Sequence, residues 1–258
     1  MPESTPIAIS VRNVTFGYTR HDTVLDLVGF DVPHGQSLAV LGYNGVGKTT
    51  LFRIITGLLR PRSGEAVINA DVIHGMRDVF MLSADGALAM QLSLRENIAF
   101  RAKLFATRQI PRPIDLNHLD RLPLIEAFGL TNRLDTKVGK LSSGLRRRAD
   151  IAVGLLLQPH LVMLDEPTNA VDPETRDLLI ELSHQLSDSG RTLLTITHDL
   201  DYCWRIADRA ILFDHGHIAI DRRIADFPDF DTFKAAMTID EPHPAVSFGF
   251  NEERSHRS

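Results

Sequence analysis

The sequence has little cysteine and no long hydrophobic segment. Cys203 is the single cysteine among the 258 residues, which excludes a disulfide within the chain and fits a reducing compartment. The longest apolar run, residues 151–157, is far shorter than the ~18 residues that a membrane-spanning helix needs. The first residues lack a basic region followed by an apolar stretch, so we expect no signal peptide. If the protein acts at a membrane, another chain is expected to span it.

Neither sign of charge dominates. The chain carries 33 acidic and 28 basic residues, a net charge of −5, so its overall charge indicates neither a nucleic acid nor an anionic membrane as partner. The three consecutive arginines at 146–148 are interpreted as a solvated helix face rather than a nucleic-acid site. With 43% hydrophobic and 24% charged residues, the composition is that of a globular protein, and the length suits one large α/β domain or a domain with a subdomain.

A glycine-rich segment at residues 42–49 is the most informative feature of the chain. It fits the P-loop pattern G-x-x-x-x-G-K-[ST], with a strand predicted before it at 37–41 and a helix after it at 50–58. The glycines let backbone N–H groups surround phosphate oxygens, and the helix N-terminus favours an anion. Lys48 is expected to reach the β- and γ-phosphates, and Thr49 to hold Mg²⁺. The predicted nucleotide-binding residues of this segment are Gly42, Asn44, Gly45, Gly47, Lys48, Thr49 and Thr50.

Two adjacent carboxylates follow a second apolar strand, which is predicted at residues 161–164. The geometry of buried strands in a P-loop core predicts that Asp165 lies beside Thr49, where it would bind Mg²⁺ through water. Glu166 would then face the γ-phosphate and polarise the attacking water. An ordinary acidic pair at a strand end is the alternative, and the preceding P-loop favours the catalytic interpretation.

Four further features occur in a fixed order along the chain. Tyr18 ends the first strand region and is expected to stack on adenine. Residues 141–145 open a helix, residues 168–172 follow the two carboxylates, and His198 ends the next apolar strand. Together with the P-loop and the carboxylates, this set resembles the ATP-binding subunit of an ABC transporter, over about residues 7–220.

The resemblance implies a role for each of these residues. Lys48, Glu166 and His198 match catalytic positions of that family, with Glu166 as base and His198 as switch histidine. Asp172 matches the end of the D-loop. In this family two ATP-binding subunits enclose ATP head to tail, and the signature motif of one faces the P-loop of the other. The residues that look like this signature, acting on the second subunit of a homodimer or heterodimer, are Ser142, Ser143 and Gly144.

The predicted fold is α/β, with a P-loop core built on a mixed sheet. An antiparallel β subdomain is expected near the N-terminus, and an inserted helical subdomain at about residues 95–152. The ATPase domain is expected to cover residues 1–236, followed by a polar C-terminal tail at 237–258.

Two departures from the family pattern are present. The signature usually continues Gly-Gly-Gln after its serine, whereas this chain has Ser143, Gly144 and Leu145. The family's glutamine, which contacts Mg²⁺ and the membrane subunit, falls at Ala84 when counted back from residues 92–97. We therefore expect nearly normal nucleotide affinity but slow hydrolysis, unless Asp85 takes over the contact or Gln91, seven residues further on, is the glutamine of this loop.

The function predicted from these residues is ATP hydrolysis that powers transport by a separate integral membrane permease. The chain is expected to lie at the cytoplasmic face of the membrane as a peripheral subunit with ATP and Mg²⁺ as cofactors. Residues 96–105 and the arginine-rich helix resemble exporter-type subunits. The alternatives are a soluble ABC ATPase acting on ribosomes or DNA, which usually has two such domains or a long coiled coil, and an ATP switch that hydrolyses weakly.

Overall fold

The computed structural model describes residues 5–83, 86–105, 114–169 and 171–238. Ala84 and Asp85, Ala170 and residues 239–258 of the predicted tail lie outside these ranges. The strands of the described residues are β1 (Ile7–Phe16), β2 (Leu25–Pro33), β3 (Ser37–Leu41), β4 (Ser63–Ile68), β5 (Val79–Leu82), β6 (Leu161–Asp165), β7 (Thr192–Ile196), β8 (Arg209–Asp214) and β9 (His217–Arg223). Their α-helices are α1 (Lys48–Ile55), α2 (Leu94–Phe105), α3 (Pro123–Ala127), α4 (Ser143–Leu155), α5 (Pro173–Asp188), α6 (Leu200–Ile206) and α7 (Phe230–Met237).

Two sheets form the framework. The larger has the order β5-β6-β7-β3-β8-β9, and all neighbours are parallel except the antiparallel pair β8 and β9. The smaller is antiparallel with the order β2-β1-β4. The predicted mixed sheet and the N-terminal antiparallel subdomain are therefore confirmed.

The three central strands β3, β6 and β7 are buried along their whole length. Such strands need apolar side chains on both faces, which explains the continuous apolar runs in the sequence. In the parallel register, Ile196 of β7 lies opposite Val40 of β3 and Asp165 of β6. The carboxyl ends of all three strands therefore meet at one edge of the sheet, where ligands bind in open α/β sheets.

Helices α2, α3 and α4 are inserted between β5 and β6. Their apolar side chains share one buried cluster with β5 and β6, in which Phe80, Ile98 and Phe128 are almost completely buried. The predicted helical insertion is present. Its limits at about 95–152, the ATPase domain at 1–236 and the tail at 237–258 stay predictions. Among the described residues, no helix has both the length and the apolar character needed to cross a bilayer.

The P-loop helix is shorter than the sequence pattern predicts. The sequence predicts this helix at 50–58, where Leu58 continues the apolar period of Leu51, Ile54 and Ile55, but α1 ends at Ile55 and Leu58 is 65% exposed. The reason is Gly57, whose positive φ of 74° is a backbone conformation that commonly ends helices.

Close packing of α4 on β5 makes Gly154 a sensitive position. A Cβ atom added at Gly154 would clash with the ring of Phe80. Glycine to alanine in an open helix position is worth about 1 kcal/mol of stabilisation, whereas overpacking a core costs about 1–3 kcal/mol. The two effects together predict that Gly154→Ala lowers the free energy of unfolding by up to about 2 kcal/mol in urea titrations.

The matched control is Gly29→Ala in β2. Its added Cβ would lie 3.4 Å from the carbonyl oxygen of Val11, which is an ordinary contact. Its effect should stay within about 0.5 kcal/mol. Equal losses in the two variants would contradict this account of the α4–β5 contact.

Candidate functional site

A cavity of about 310 Å³ opens at the carboxyl edge of the central strands. The P-loop follows β3 there, and the two predicted carboxylates lie at the end of β6. The cavity is lined by Tyr18, Val24, Asn44, Gly45, Gly47, Lys48, Thr49, Thr50, Asp165, Glu166 and Ile196. Most of the predicted nucleotide-binding residues therefore surround one space, although they come from distant parts of the chain.

The P-loop backbone requires glycine at two of its positions. Gly42 has φ 145°, and a Cβ added there would lie 2.7 Å from the carbonyl oxygen of Phe213. Gly47 has φ 108°, and its added Cβ would lie 2.8 Å from Cδ2 of Leu25. Gly47 also precedes α1 without a side-chain cap. The first N–H groups of α1 are thus left for a ligand, and an anion is the favoured one.

Lys48 is held inside the P-loop. Its Nζ atom donates hydrogen bonds to the carbonyl oxygens of Gly42 at 2.5 Å and Tyr43 at 3.0 Å, and the residue is 5% exposed. Burial lowers the pKa of Lys48, while the charges of Glu166 and Asp165 oppose this shift. Its Nζ lies 3.9 Å from Oε1 of Glu166. The ammonium group is therefore fixed between the loop and the carboxylates.

Thr49 and Asp165 form the candidate metal site. The Thr49 hydroxyl donates to Oδ2 of Asp165 at 2.9 Å. Burial raises the pKa of Asp165, opposed by the Thr49 hydrogen bond and by the charges of Lys48 and Arg147. Oε1 of Glu166 is buried nearby and has no hydrogen-bond partner among the described residues. These oxygens suit Mg²⁺, which is typically held by one or two protein oxygens together with substrate phosphates.

No protein-only metal cage is present among the described residues. Within residues 5–83, 86–105, 114–169 and 171–238, no group of three or more histidine, cysteine, aspartate or glutamate side chains could hold a metal ion. A metal at Thr49 and Asp165 would thus need further ligands from a bound phosphate and from water.

Glu166 and His198 are in direct contact. Nδ1 of His198 lies 2.8 Å from Oε2 of Glu166, so the imidazole donates to the carboxylate. The N–H of Glu166 donates to the carbonyl oxygen of Ile196 at 2.9 Å. Glu166 has φ 48°, an unfavourable backbone conformation for a side chain of its type. Such strain is concentrated at functional sites, and here it turns the Glu166 side chain between Lys48 and His198.

Tyr18 lies at the rim of the cavity. Strand β1 ends at Phe16, two residues before Tyr18. The two rings pack edge to face with centroids 5.1 Å apart, and the Tyr18 hydroxyl lies 3.0 Å from Oγ1 of Thr50. The residue is 58% exposed. Its ring is thus fixed at two points while much of its surface is open to a ligand.

The signature residues lie apart from this cavity. Ser142 is the N-cap of α4, and its hydroxyl accepts from the N–H of Leu145 at 3.3 Å. Ser142 and Ser143 are exposed, and Gly144 is half-buried. None of the three lines the cavity around Lys48 and Thr49. Among the described residues no side chain or carbonyl accepts the Ser142 hydroxyl proton, so this proton can be donated to an anion from outside the chain.

Asp172 connects α4 with α5. It is the N-cap of α5 and accepts from the N–H of Thr175 at 2.8 Å. Arg148 donates to Asp172 at 3.1 Å and to the Thr175 hydroxyl at 2.7 Å. The predicted D-loop residue therefore joins the start of α5 to the helix that begins at the signature.

The interpretation of arginines 146–148 as a solvated face was wrong. Arg147 donates to the carbonyl oxygens of Ser83, Asp165 and Glu166 at 2.8, 2.7 and 2.9 Å. Arg148 donates a hydrogen bond to Asp172, as described above. The reason is that α4 packs beside the ends of β5 and β6, where strand carbonyls need donors. The pattern of charged residues in a sequence cannot predict that an arginine binds main-chain carbonyl oxygens, because every residue has one.

A second arginine that sequence reasoning missed is Arg176 on α5. Its Nε lies 3.0 Å from Oδ2 of Asp199, and its Nη2 lies 2.6 Å from Oδ2 of Asp201. These hydrogen bonds raise the pKa of Arg176. Asp199 follows His198 directly and is the N-cap of α6. The segment that carries His198 is thus fixed to α5.

The fold and the site are those of a P-loop ATPase, and comparisons with known proteins define its family. Residues 25–169 match the family model described as ABC transporter. The chain is 32% identical over 234 residues to the intermembrane phospholipid transport system ATP-binding protein MlaF of Escherichia coli (strain K12), covering 84% of each protein. It is 33% identical over 222 residues to the spermidine/putrescine import ATP-binding protein PotA of Legionella pneumophila, covering 83% of this chain and 58% of PotA.

A solved structure of the ATP-binding subunit of an ABC transporter has a TM-score of 0.74 and 27% identity, covering 85% of this chain and 91% of that one. The chain belongs to the ABC transporter family, and it is an ATP-binding domain of the ABC ATPase type. It spans little more than half the length of PotA.

Proposed function

We propose that this chain hydrolyses ATP and thereby powers transport by a separate integral membrane permease. The observation that carries the proposal is the 2.8 Å contact between His198 and Glu166, whose carboxylate lines the P-loop cavity 3.9 Å from Nζ of Lys48. A domain that only bound ATP would need the P-loop but not this oriented carboxylate.

In the proposed reaction, the P-loop amides and Lys48 hold the β- and γ-phosphates. Thr49 and Asp165 would hold Mg²⁺, which would neutralise charge on the phosphates. Glu166 orients a water molecule and accepts its proton as the water oxygen attacks the γ-phosphorus. The bond to the oxygen that bridges the β- and γ-phosphorus breaks, and ADP and phosphate leave. His198 keeps the Glu166 carboxylate in this orientation.

A second ATP-binding subunit is part of the proposal. Ser142 and Ser143 are exposed at the start of α4 and lie outside the cavity of their own chain. Ser142, Ser143 and Gly144 would therefore contact the γ-phosphate held by the partner subunit, in a homodimer or a heterodimer.

The two relatives named above differ in the transport that their names state. PotA is named for import and MlaF for intermembrane phospholipid transport. Export, favoured by the resemblance of residues 96–105 to exporter-type subunits, stays a prediction, as does the location at the cytoplasmic face of the membrane. Action on ribosomes or DNA is not favoured, because Arg147 and Arg148 are engaged within the chain.

Co-expression with the permease encoded beside this chain tests the proposal. The chain should sediment with membranes only when the permease is present, and ATP turnover in proteoliposomes should respond to cargo. Liposomes without protein are the control, because the net charge of −5 predicts no attraction to anionic lipid. Binding to these liposomes, or an absence of turnover with the permease, would contradict the proposal.

Tyr18 offers a separate test of nucleotide binding. Stacking of a base on an aromatic ring is worth about 1–3 kcal/mol, so Tyr18→Ala should raise the Kd for ATP by about fivefold to 150-fold. Tyr18→Phe is the matched control, since it keeps the ring and loses only the hydrogen bond to Thr50. Its Kd, measured by calorimetry, should stay within about threefold of the original. Equal losses in the two variants would show that the hydroxyl matters and the ring does not.

A further inference from the structure

Arg147 joins two strand ends beside the site. Its Nη2 atom donates to the carbonyl oxygens of Asp165 at 2.7 Å and Glu166 at 2.9 Å, at the end of β6. Its Nη1 atom donates to the carbonyl oxygen of Ser83 at 2.8 Å, just after β5. One side chain thus binds three main-chain oxygens, which the planar fork of a guanidinium group suits and a single ammonium group does not.

The guanidinium of Arg147 is partly withdrawn from water. Burial lowers the pKa of Arg147, and the charges of Asp150, Asp165 and Glu166 oppose this shift. Asp150 lies one turn further along α4 and accepts from the N–H of Ala87 at 2.8 Å. Arg147 and Asp150 therefore join Ser83 and Ala87 to one face of α4.

The hydrogen bond from Arg147 to the carbonyl oxygen of Glu166 acts on a strained part of the backbone. Glu166 has φ 48°, so its backbone is in an unfavourable conformation that surrounding contacts must maintain. Its N–H is bound by Ile196 and its carbonyl by Arg147. The peptide groups on both sides of the Glu166 side chain are thus fixed, one by a neighbouring strand and the other by α4.

We infer that Arg147 is a positioning residue for Glu166. Arg147 holds the backbone turn that directs the Glu166 carboxylate toward Lys48 and His198. Since Ser142 is the N-cap of α4, the same contact links the helix of the signature to the carboxylate of its own chain. The inference rests on the ATP hydrolysis proposed above and adds a residue that none of the motifs of the site includes.

The test compares Arg147→Met with Arg146→Met. Both replacements keep an aliphatic side chain on α4, but Arg146 contacts the carbonyl oxygen of Leu141 at 3.4 Å and Sδ of Met90 at 4.0 Å. In Arg147→Met, kcat should fall about tenfold to a hundredfold while the KM and Kd for ATP stay within about twofold. Arg146→Met should keep kcat within about twofold. Arg147→Lys, which restores charge but not the fork, should recover part of the loss.

A double-mutant cycle with Glu166→Gln separates positioning from general damage. If Arg147 acts through Glu166, Arg147→Met should not lower the residual turnover of Glu166→Gln any further. If Arg147 merely stabilises the fold, the two losses should multiply. Multiplying losses therefore overturn the inference.

Hydrogen exchange provides a readout that needs no turnover. The Glu166 amide is bonded to Ile196, so a peptide covering residues 161–169 should exchange about tenfold faster in Arg147→Met and unchanged in Arg146→Met. Unchanged exchange in Arg147→Met, or an equal increase in Arg146→Met, overturns the inference. If Arg147→Met does not fold, Arg147→Lys is measured in the same way. If the unsubstituted protein does not hydrolyse ATP, the proposed function is refuted. The exchange measurement would still show whether Arg147 holds the backbone of Glu166.

Discussion

Glu166→Gln is expected to abolish most ATP turnover while leaving ATP binding intact. The amide has nearly the shape of the carboxylate but cannot accept the proton of the attacking water. General-base catalysis contributes about 10²–10⁴-fold, so kcat should fall by about that factor. Because ATP and Mg²⁺ persist in the site, the variant should also run as a dimer in size-exclusion chromatography with both present.

Glu126→Gln is a suitable control for this variant, because Glu126 is exposed on α3. It should turn over ATP at the original rate and should not change the ATP dependence of dimer formation. A Glu166→Gln protein that stays monomeric at millimolar ATP would contradict the homodimer and indicate a different ATP-binding subunit as partner. Unchanged turnover would remove Glu166 from the catalytic role.

Lys48→Ala is expected to remove ATP binding itself. Lys48 is the buried cation between the P-loop carbonyls and the two carboxylates. Without it, the phosphates would meet the charges of Asp165 and Glu166 with no buried ammonium group to offset them. Losing a charge-assisted contact of this kind costs about 1.5–3 kcal/mol or more, so the Kd for ATP should rise at least about tenfold to a hundredfold, and no ATP-dependent dimer should form.

The measurement is a calorimetric or fluorescence titration with ATP and Mg²⁺. Lys140→Ala is the control, since Lys140 is exposed and precedes the signature by two residues. Because the replacement leaves the carbonyls of Gly42 and Tyr43 without this donor, the melting temperature of Lys48→Ala is measured in parallel. ATP binding at the original affinity in a folded Lys48→Ala protein would contradict the assigned site.

Much of the fold could be predicted from the apolar runs in the sequence and from the polar residues that follow them. The apolar runs that became β3, β6 and β7 are continuous because these strands are buried on both faces. Parallel strands end at a common edge, so residues that follow them in the sequence converge in space. The contact between Glu166 and His198, 32 positions apart in the chain, arises in this way. Their roles in catalysis stay predictions.

Other features of the structure could not be predicted from the sequence. The partners of Arg147 are main-chain oxygens, which every residue carries, so the charge pattern alone led to the wrong interpretation of this helix face. The strained backbone of Glu166 is set by tertiary contacts, not by its own conformational preference. Leu58 continued the apolar period of the P-loop helix, yet Gly57 ended the helix first. The expectation for Ala84 and Asp85 stays a prediction, because both lie outside the described residues.

If Tyr18 stacks on the base as predicted, this contact does not by itself select one purine nucleotide over another. The Tyr18 ring packs on Phe16 and its hydroxyl bonds to Thr50, so contacts within the chain fix the ring on which a base can stack. Every purine has a flat aromatic face, and stacking therefore tolerates different bases. This residue alone would accept guanine as readily as adenine. Preference for ATP over GTP must then come from contacts to the edge of the base or from the relative supply of the two nucleotides in the cell.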